Sequence, residues 1–335
     1  MIAAANQILQ AIRQSERIVI VSHKSPDGDS IGSSLAMYHL LKKWGKEVEV
    51  VHPDPAPEFL LWLEGTDKII AFDHQPVNAT SLLHAADLIL CLDFNEPGRV
   101  GKDMQPVLEA APGKKAMIDH HLNPSDFCQF VISLPEVCST AQLVYEWMEA
   151  VGELPSIDTI IGQCIYLGIM TDTGSFRFPS VNVKTHEILA GLLKAGVEHF
   201  RIHEQVYDTN TIDRIRLRGY ALSEKLVLIE GLPVAYVALS SEELERFHYK
   251  KGDTEGLVNQ VLGILGISMA VLFVEKDGAV KISFRSKGEL KVNELAAKYF
   301  EGGGHMYASG GISHESLEAA TSKFVTNIGE FVSVA

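Results

Sequence analysis

The sequence predicts an α/β protein: a parallel sheet with helices on both faces, joined by a helical linker to a smaller mixed α+β domain. Two observations lead to this fold class. In the first part of the chain, nearly continuous apolar strands such as 17–22 and 86–93 alternate with helical segments, a pattern typical of a parallel sheet buried on both faces. Further along, short strands follow one another in pairs. We therefore predict domains at 1–195 and 226–335, with the linker at 196–225.

The elements of the N-terminal domain are predicted from apolar periodicity and from glycine and proline breaks. Pro26 and Gly28 break the chain after the first strand, and Asp29 and Ser30 stand where the next helix would be capped. The predicted elements are a helix at 2–14, a strand at 17–22, a helix at 30–44, strands at 46–51, 68–71, 86–93 and 115–121, and helices at 138–150, 156–170, 184–194 and 199–207.

In the C-terminal part, turn sequences separate paired strands, and Asp277-Gly278 is a strong hairpin signal. The predicted elements are a connecting helix at 209–225, hairpins of 226–229 with 233–239 and of 268–274 with 279–284, and helices at 292–299 and 315–329. The glycine-rich segment 301–311 is predicted to be a loop. Its glycines alone are typical of a helix C-cap, but their N–H groups could also converge on an anion.

Composition and charge limit the possible functions. The chain is 46% hydrophobic and 21% charged, as in soluble globular proteins, and no apolar run approaches the ~18 residues of a membrane span. The N-terminus is typical of an amphipathic helix rather than a signal peptide, and the four cysteines form no C-x-x-C pair. We expect a cytoplasmic protein without a membrane partner. The net charge of −14 argues against a surface for long nucleic acid, although 276–298 holds six basic and three acidic residues.

Metal-binding side chains stand at the ends of three predicted strands, where ligands gather in parallel sheets. They are His23, Asp27 and Asp29 after the first strand, Asp93 at the end of 86–93, and Asp119, His120 and His121 at the end of 115–121. Each has an ordinary explanation by itself, such as a turn or a helix cap, but their joint placement favours one site. Asp172, after the apolar helix 156–170, is either a turn former or a further ligand.

The number of candidate ligands predicts a pair of divalent ions. Four carboxylates and two imidazoles are too many for one catalytic zinc and suit two ions about 3.5–4 Å apart that share a carboxylate. Such a pair deprotonates a water and neutralises phosphoryl charge, so the indicated reaction is hydrolysis of a phosphoester or phosphoanhydride. The six candidates are His23, Asp27, Asp29, Asp93, His120 and Asp172.

The motifs, taken in order, resemble those of the DHH phosphoesterases. They are H-x-x-P-D-G-D-S at 23–30, Asp93, D-H-H at 119–121, T-D-T-G-x-F at 171–176, and G-G-G-H-x-x-A-S-G at 302–310, which is similar to the signature of the DHH-associated C-terminal domain. The length and the short linker resemble the nanoRNase group, whose members are bifunctional oligoribonucleases and phosphatases of 3′-phosphoadenosine 5′-phosphate (pAp).

This resemblance implies specific roles. His23, Asp27 and Asp93 would hold one ion, and Asp29, Asp93, His120 and Asp172 the other, with Mn²⁺ as the first expectation and Mg²⁺ or Co²⁺ as alternatives. His121 would be a phosphate ligand or proton donor, Asp119 would orient the imidazoles, and Asp93 would bridge the ions. The expected substrate-binding residues of the C-terminal domain are Arg285, Ser286, Gly303, Gly304, His305 and Ser309.

The expected function is release of nucleoside monophosphates from short RNA oligonucleotides and from dinucleotides such as pApA, together with conversion of pAp to AMP. One alternative is a soluble phosphodiesterase for cyclic or linear dinucleotides, and another is a pyrophosphatase or exopolyphosphatase. A non-catalytic nucleotide-binding module is disfavoured because all six ligands are present. The polarity of attack, the preferred oligomer length and the oligomeric state stay open, with a homodimer as one option.

Overall fold

The computed structural model describes residues 1–334, which fold as two compact units. The first unit runs from Met1 to Thr209 and the second begins at Asn210. The division falls inside the segment 196–225 that the sequence predicts as the linker. None of the described helices combines the length and the apolar character that a bilayer crossing requires.

The first unit is an α/β domain whose helices and strands alternate along the chain. Its elements are α1 (Ile2–Gln14), β1 (Arg17–Val21), α2 (Gly28–Lys43), β2 (Glu47–His52), β3 (Ile69–Ala71), α3 (Pro76–Ala85), β4 (Leu88–Leu92), α4 (Gln105–Ala110), β5 (Lys114–Asp119), β6 (Phe130–Ser133), α5 (Thr140–Ala150), α6 (Thr159–Asp172), α7 (Val183–Lys194) and α8 (His199–Tyr207).

The strands of the first unit form a parallel sheet in the order β3-β2-β1-β4-β5-β6. Alternate residues of β1 enter two separate cores, because Ile18 and Ile20 pack beneath α1, α2, α5 and α6 while Val19 and Val21 pack beneath α3 and α4. The predicted parallel sheet with helices on both faces is thereby confirmed.

Three elements of this unit were not predicted. α3 buries only Ala79 and Leu83, and α4 buries only Leu108, so neither has a strong helical period. β6 is a four-residue edge strand in which Val131 is exposed. Each is stabilised by packing against the sheet, and its local sequence carries too little apolar signal to be recognised.

Helices α2 and α6 cross at very short distance because glycines stand at their contact. A Cβ atom at Gly28 would lie 2.3 Å from the Thr171 hydroxyl, and one at Gly32 would lie 2.4 Å from the Cys164 carbonyl oxygen. On the other helix, a Cβ atom at Gly168 would lie 2.7 Å from an oxygen of Asp29. The crossing therefore brings the first turn of α2 against the last turn of α6.

The second unit is built on a mixed sheet in the order β11-β12-β10-β9-β8-β7, in which only the β8–β9 pair is parallel among the described strands. Its elements are α9 (Ile212–Ser223), β7 (Leu226–Leu228), β8 (Val234–Leu239), α10 (Ser241–Arg246), α11 (Leu257–Leu262), β9 (Met269–Lys276), β10 (Ala279–Ser286), α12 (Val292–Tyr299), β11 (Glu301–His305), β12 (Ala308–Ser313) and α13 (Leu317–Val334). The two predicted hairpins are present, whereas the short helices α10 and α11 were not predicted.

The prediction of a loop over 301–311 is wrong, because this segment forms the antiparallel hairpin β11–β12. Gly302 pairs with Gly311, and Gly303 pairs with Gly310. A Cβ atom at Gly302 would lie 2.2 Å from the Gly310 carbonyl oxygen. Gly302 thus serves close backbone approach across a strand pair. Sequence patterns for strands do not reveal this hairpin, because glycine weakens an ordinary strand.

Replacing Gly32 with alanine should force α2 and α6 apart and destabilise the protein by about 1–3 kcal/mol, because the new methyl group meets backbone rather than a movable side chain. Thermal unfolding would measure this loss. Gly219→Ala is a suitable control, since a Cβ atom there meets nothing within 4 Å and alanine favours a helix. Equal melting temperatures for Gly32→Ala and wild type would contradict the close crossing.

Candidate metal centre

The candidate metal ligands converge because three neighbouring strands end at one edge of the first unit's sheet. β1, β4 and β5 are adjacent and parallel, so the residues that follow them emerge side by side. The α2–α6 crossing brings two further carboxylates to this edge. The resulting cluster consists of His23, Asp27, Asp29, Asp93, Asp119, His120, His121 and Asp172.

One set of donor atoms comes from His23, Asp27 and Asp93, whose ligand atoms lie within 4.8 Å of one another. His23 Nδ1 is 2.9 Å from the Lys24 carbonyl oxygen. Because a carbonyl only accepts, Nδ1 carries the hydrogen and Nε2 presents its lone pair. Nε2 lies 3.7 Å from Asp27 Oδ2 and 3.3 Å from Asp93 Oδ2, an arrangement that one cation could bridge.

A second set comes from Asp29, His120 and Asp172, again within 4.8 Å. His120 Nδ1 is 3.1 Å from the Val137 carbonyl oxygen, so this imidazole also turns the lone pair of Nε2 toward the acids. That atom lies 3.4 Å from Asp172 Oδ2 and 3.8 Å from Asp29 Oδ2. Asp172, the last residue of α6, is therefore part of the cluster.

Asp93 stands between the two sets. Its Oδ2 faces His23, whereas its Oδ1 is 3.6 Å from His120 Nε2. The residue has a left-handed backbone with φ of 66°, a conformation that Asp tolerates better than most residues. Thr140 Oγ1 donates a 3.0 Å hydrogen bond to Oδ1. Asp93 is thus positioned to be shared by two cations.

Asp27 caps α2, so the prediction that Asp29 and Ser30 occupy the capping position is wrong. An oxygen of Asp27 accepts hydrogen bonds of 3.0 Å from the main-chain N–H groups of both residues. Asp29 therefore lies inside the helix and is almost fully buried. It accepts hydrogen bonds of 2.7 and 2.8 Å from the N–H groups of Thr140 and Ala141. These belong to the first turn of α5, where the helix dipole favours a negative charge.

His121 forms a chain of contacts with Asp119 and Arg99. Its Nδ1 donates to Asp119 Oδ1 at 2.7 Å, and its main-chain N–H donates to Oδ2 at 3.0 Å. Nε2 accepts from Arg99 Nη2 at 3.3 Å. Sequence reasoning missed Arg99, which lies on a 3₁₀ turn at Pro97–Val100. The only hint of Arg99 in the sequence is that it is a basic residue in a turn, six positions after Asp93.

The acids of this cluster repel one another. Burial raises the pKa of Asp93 well above its usual range, and the charge of Asp29 adds to this effect. Burial also raises the pKa of Asp29 to about 7, with Asp172 as the next cause. Burial lowers the pKa of His121, although Asp119 opposes this. Carboxylates that are held together against repulsion, beside imidazole lone pairs, are a donor set suited to divalent cations.

In the second unit, the hairpin and β10 divide the expected substrate residues between two faces of the sheet. Arg285 and Ala308 are paired, and His305 pairs with Ala308 as well, so these side chains share a face with Gly303.

Ser286 and Ser309 are buried. Their hydroxyl groups donate to the carbonyl oxygens of Leu290 and His305 at 2.5 and 2.8 Å, respectively. A substrate contact of these two serines stays a prediction. Gly304 is opposite Ser309.

Comparison with known proteins assigns the family. Residues 17–169 match the DHH family N-terminal domain, and residues 231–333 match the DHHA1 domain. The chain is 30% identical to the bifunctional oligoribonuclease and PAP phosphatase NrnA of Thermus thermophilus, covering 91% of this chain and 86% of that protein. The chain belongs to the DHH family.

Other DHH relatives match over similar lengths. NrnA of Bacillus subtilis is 28% identical, with 91% of each chain covered. The crystal structure of an exopolyphosphatase-related protein from Bacteroides fragilis has a TM-score of 0.94 at 40% identity, covering 99% of this chain and 97% of that chain. The resemblance inferred from the motifs is confirmed. Family membership implies the use of divalent metal ions, and the acid and histidine cluster contains groups that could hold them.

Asp93→Asn should raise the melting temperature of the metal-free protein, because it removes a carboxyl group whose ionisation is opposed by burial and by Asp29, while asparagine tolerates the left-handed backbone. Manganese should raise the melting temperature of wild type by binding the folded state, and should raise that of the variant much less. Thermal unfolding with EDTA or with MnCl₂ tests both statements. Glu109→Gln on the exposed side of α4 provides the control for loss of a carboxylate. An equal response of wild type and Asp93→Asn to manganese would refute the shared-ligand assignment.

Proposed function

We propose that this chain is a metal-dependent phosphoesterase that hydrolyses short RNA oligonucleotides and dinucleotides to nucleoside monophosphates and pAp to AMP. The observation that carries the proposal is the position of Asp93, with one carboxylate oxygen toward each of two acid and histidine sets. The relatives named oligoribonuclease and PAP phosphatase, which match over most of the chain, support the choice of substrates.

Divalent cations held by the two sets, Mn²⁺ first and Mg²⁺ or Co²⁺ as alternatives, would supply an activated water and neutralise phosphoryl charge. The chain itself holds the side chains of the site in position in three ways. His23 and His120 keep their Nε2 lone pairs inward through backbone contacts. The first turn of α5 fixes Asp29. Asp119 fixes the ring of His121.

His121 is the group that we assign to proton donation. Its Nδ1–H contact with Asp119 favours the imidazolium form, from which Nε2 would protonate the leaving oxygen. Burial lowers the pKa of His121 and Arg99 lowers it further, so uptake of this proton would accompany binding of a negatively charged phosphoryl group. Arg99 donates a hydrogen bond to the same Nε2. When substrate binds, its N–H groups would donate to a phosphoryl oxygen instead.

The competing activities are close in chemistry. A relative named cyclic-di-AMP phosphodiesterase GdpP, from Bacillus subtilis, is 23% identical and only 46% of it is covered, which supports cyclic dinucleotides weakly. The Bacteroides fragilis structure is titled exopolyphosphatase-related. This title is the observation that keeps polyphosphate among the substrates to be tested.

With manganese, wild type should hydrolyse pAp, pApA and RNA of two to five nucleotides faster than a ~24-mer, cyclic di-AMP, pyrophosphate or polyphosphate. Initial rates with all substrates side by side measure this order. His120→Ala should abolish every activity, since it removes a ligand of the second set. Wild-type rates for His120→Ala would refute the site, and faster hydrolysis of polyphosphate or cyclic di-AMP would refute the proposed substrates.

Arg99→Gln should lower kcat/KM by about 10- to 100-fold on pAp, on pApA and on bis-p-nitrophenyl phosphate alike, because Arg99 would contact the phosphoryl group that all three share. Arg99→Lys should recover part of the activity, since lysine keeps the charge but not the bidentate geometry. Lys102→Gln, at an exposed position nearby, serves as the control. A loss confined to pAp and pApA would contradict a contact with the reacting phosphate.

A further inference from the structure

A residue with a left-handed backbone stands midway between two members of the metal cluster. Ser25 lies between His23 and Asp27 in the loop from β1 to α2, and its φ is 58°. Serine seldom adopts this conformation, and a residue before a proline, as Ser25 is before Pro26, prefers an extended backbone. The side chain of Ser25 is exposed, so its packing does not impose the conformation. The constraint acts on the backbone.

The peptide group that joins Lys24 to Ser25, here called the 24–25 peptide, connects a carboxylate to a metal-binding imidazole. Its N–H donates to Asp54 Oδ2 at 2.5 Å, and its carbonyl oxygen accepts from His23 Nδ1 at 2.9 Å. Because a peptide group is planar, the direction of its N–H fixes the direction of its carbonyl. Rotation of the 24–25 peptide would break both hydrogen bonds together. Asp54 therefore holds the acceptor that directs the lone pair of His23 Nε2 toward the site.

Asp54 is itself fixed by the sheet. It follows β2 in a turn and is almost fully buried. The main chain just before Asp54 is bonded to the end of β3. Phe72 donates its main-chain N–H to the His52 carbonyl oxygen at 2.8 Å, and Asp73 donates likewise to Pro53 at 3.0 Å. The carboxylate thus reaches the 24–25 peptide from a backbone that has little freedom to move.

The second set of donor atoms is held by contacts that do not involve the 24–25 peptide. Asp29 accepts hydrogen bonds from the first turn of α5, and His120 Nδ1 contacts a carbonyl oxygen of another loop. Asp172 belongs to α6. A change in the 24–25 peptide should therefore disturb the set that contains His23 and leave the other set in place.

We propose that Asp54 is a positioning residue for His23, acting through the 24–25 peptide, and that it strengthens binding of one of the two cations. The inference rests on the two-cation site of the proposed function. Position matters here more than charge, because Lys24 Nζ lies 4.0 Å from Asp54 Oδ1 and offsets the attraction that this carboxylate could exert on a distant cation. The arrangement resembles a carboxylate that orients a ligating histidine, with a peptide group between the two.

Calorimetric titration of the metal-free full chain with MnCl₂ tests this role. Wild type should bind two ions, and Asp54→Ala should lower the affinity for one of them by about 10- to 100-fold, as loss of a group that orients a metal ligand does. Asp54→Asn should stay within about threefold of wild type, since its amide oxygen can still accept from the Ser25 N–H. Unchanged affinities in Asp54→Ala, or equal losses in Asp54→Ala and Asp54→Asn, would overturn the proposal.

His23→Ala identifies the affected ion. In this background, which lacks the imidazole that Asp54 orients, adding Asp54→Ala should leave the affinity of the remaining ion unchanged. A further loss in the double variant would contradict an action through His23. Asp87→Ala is the matched control. Asp87 Oδ2 also accepts a main-chain N–H, that of Arg17 at 2.8 Å, but at the opposite end of β1, so this variant should lower the melting temperature and alter neither affinity.

Ser25 offers a test that leaves Asp54 intact. Ser25→Val should lower the affinity for the same ion, because a β-branched residue resists the left-handed backbone, whereas Ser25→Gly accepts that backbone freely and should retain both affinities. The exposed position favours folding of both variants. Equal affinities in Ser25→Val and Ser25→Gly would overturn the proposal even if Asp54→Ala does not fold. Failure of wild type to cleave RNA would refute the proposed function, and the ion affinities would still decide the role of Asp54.

Discussion

Burial of several carboxylates at one edge of the sheet is the constraint that shapes the site of the first unit. Asp29 and Asp93 are almost fully buried, and the presence of Asp172 opposes the ionisation of both. Such an arrangement is unfavourable unless other groups offset it. The N–H groups at the start of α5 and the hydroxyl of Thr140 offset part of the repulsion. Cations bound by the cluster would offset the rest, so the same strain that weakens the metal-free protein favours metal binding.

Glycine allows the two helices of the site to approach closely. Residues larger than glycine at Gly28, Gly32 or Gly168 would overlap with atoms of the partner helix, and Asp29 and Asp172 would move apart. The second unit uses glycine for a comparable purpose in β11, where Gly302 and Gly304 allow this strand to approach the backbone of β12. In both units, glycine has no side chain beyond hydrogen and so leaves the space in which other groups can approach closely.

The charge of the chain agrees with a division of tasks between the two units. The protein carries −14 overall, and the first unit concentrates acids where cations are needed. The second unit presents Lys281 and Arg285 along one strand face. The two units therefore gather side chains of opposite charge, acids at the sheet edge of the first unit and bases on β10 of the second.

Much of the fold and most of the candidate site could be predicted from the sequence. The apolar strands show the sheet because both of its faces are buried, and the strand-end residues His23, Asp93 and His120 show the site because parallel strands deliver their ends to one edge. Local sequence also shows the two hairpins through their turns. These features can be predicted because they depend on the type and order of neighbouring residues, and burial in a parallel sheet requires an apolar run that is easy to recognise.

The tertiary structure alone decided the rest. Arg99 joins the site only because its turn lies beside His121, and no spacing along the chain shows that contact. The glycine segment 301–311 forms strands because two glycine runs pair with each other, a stabilisation that neither run has by itself. Asp29 acquires its partners from α5, more than a hundred residues later. Contacts between distant segments depend on the packing of the whole unit, and for that reason the local pattern did not contain them.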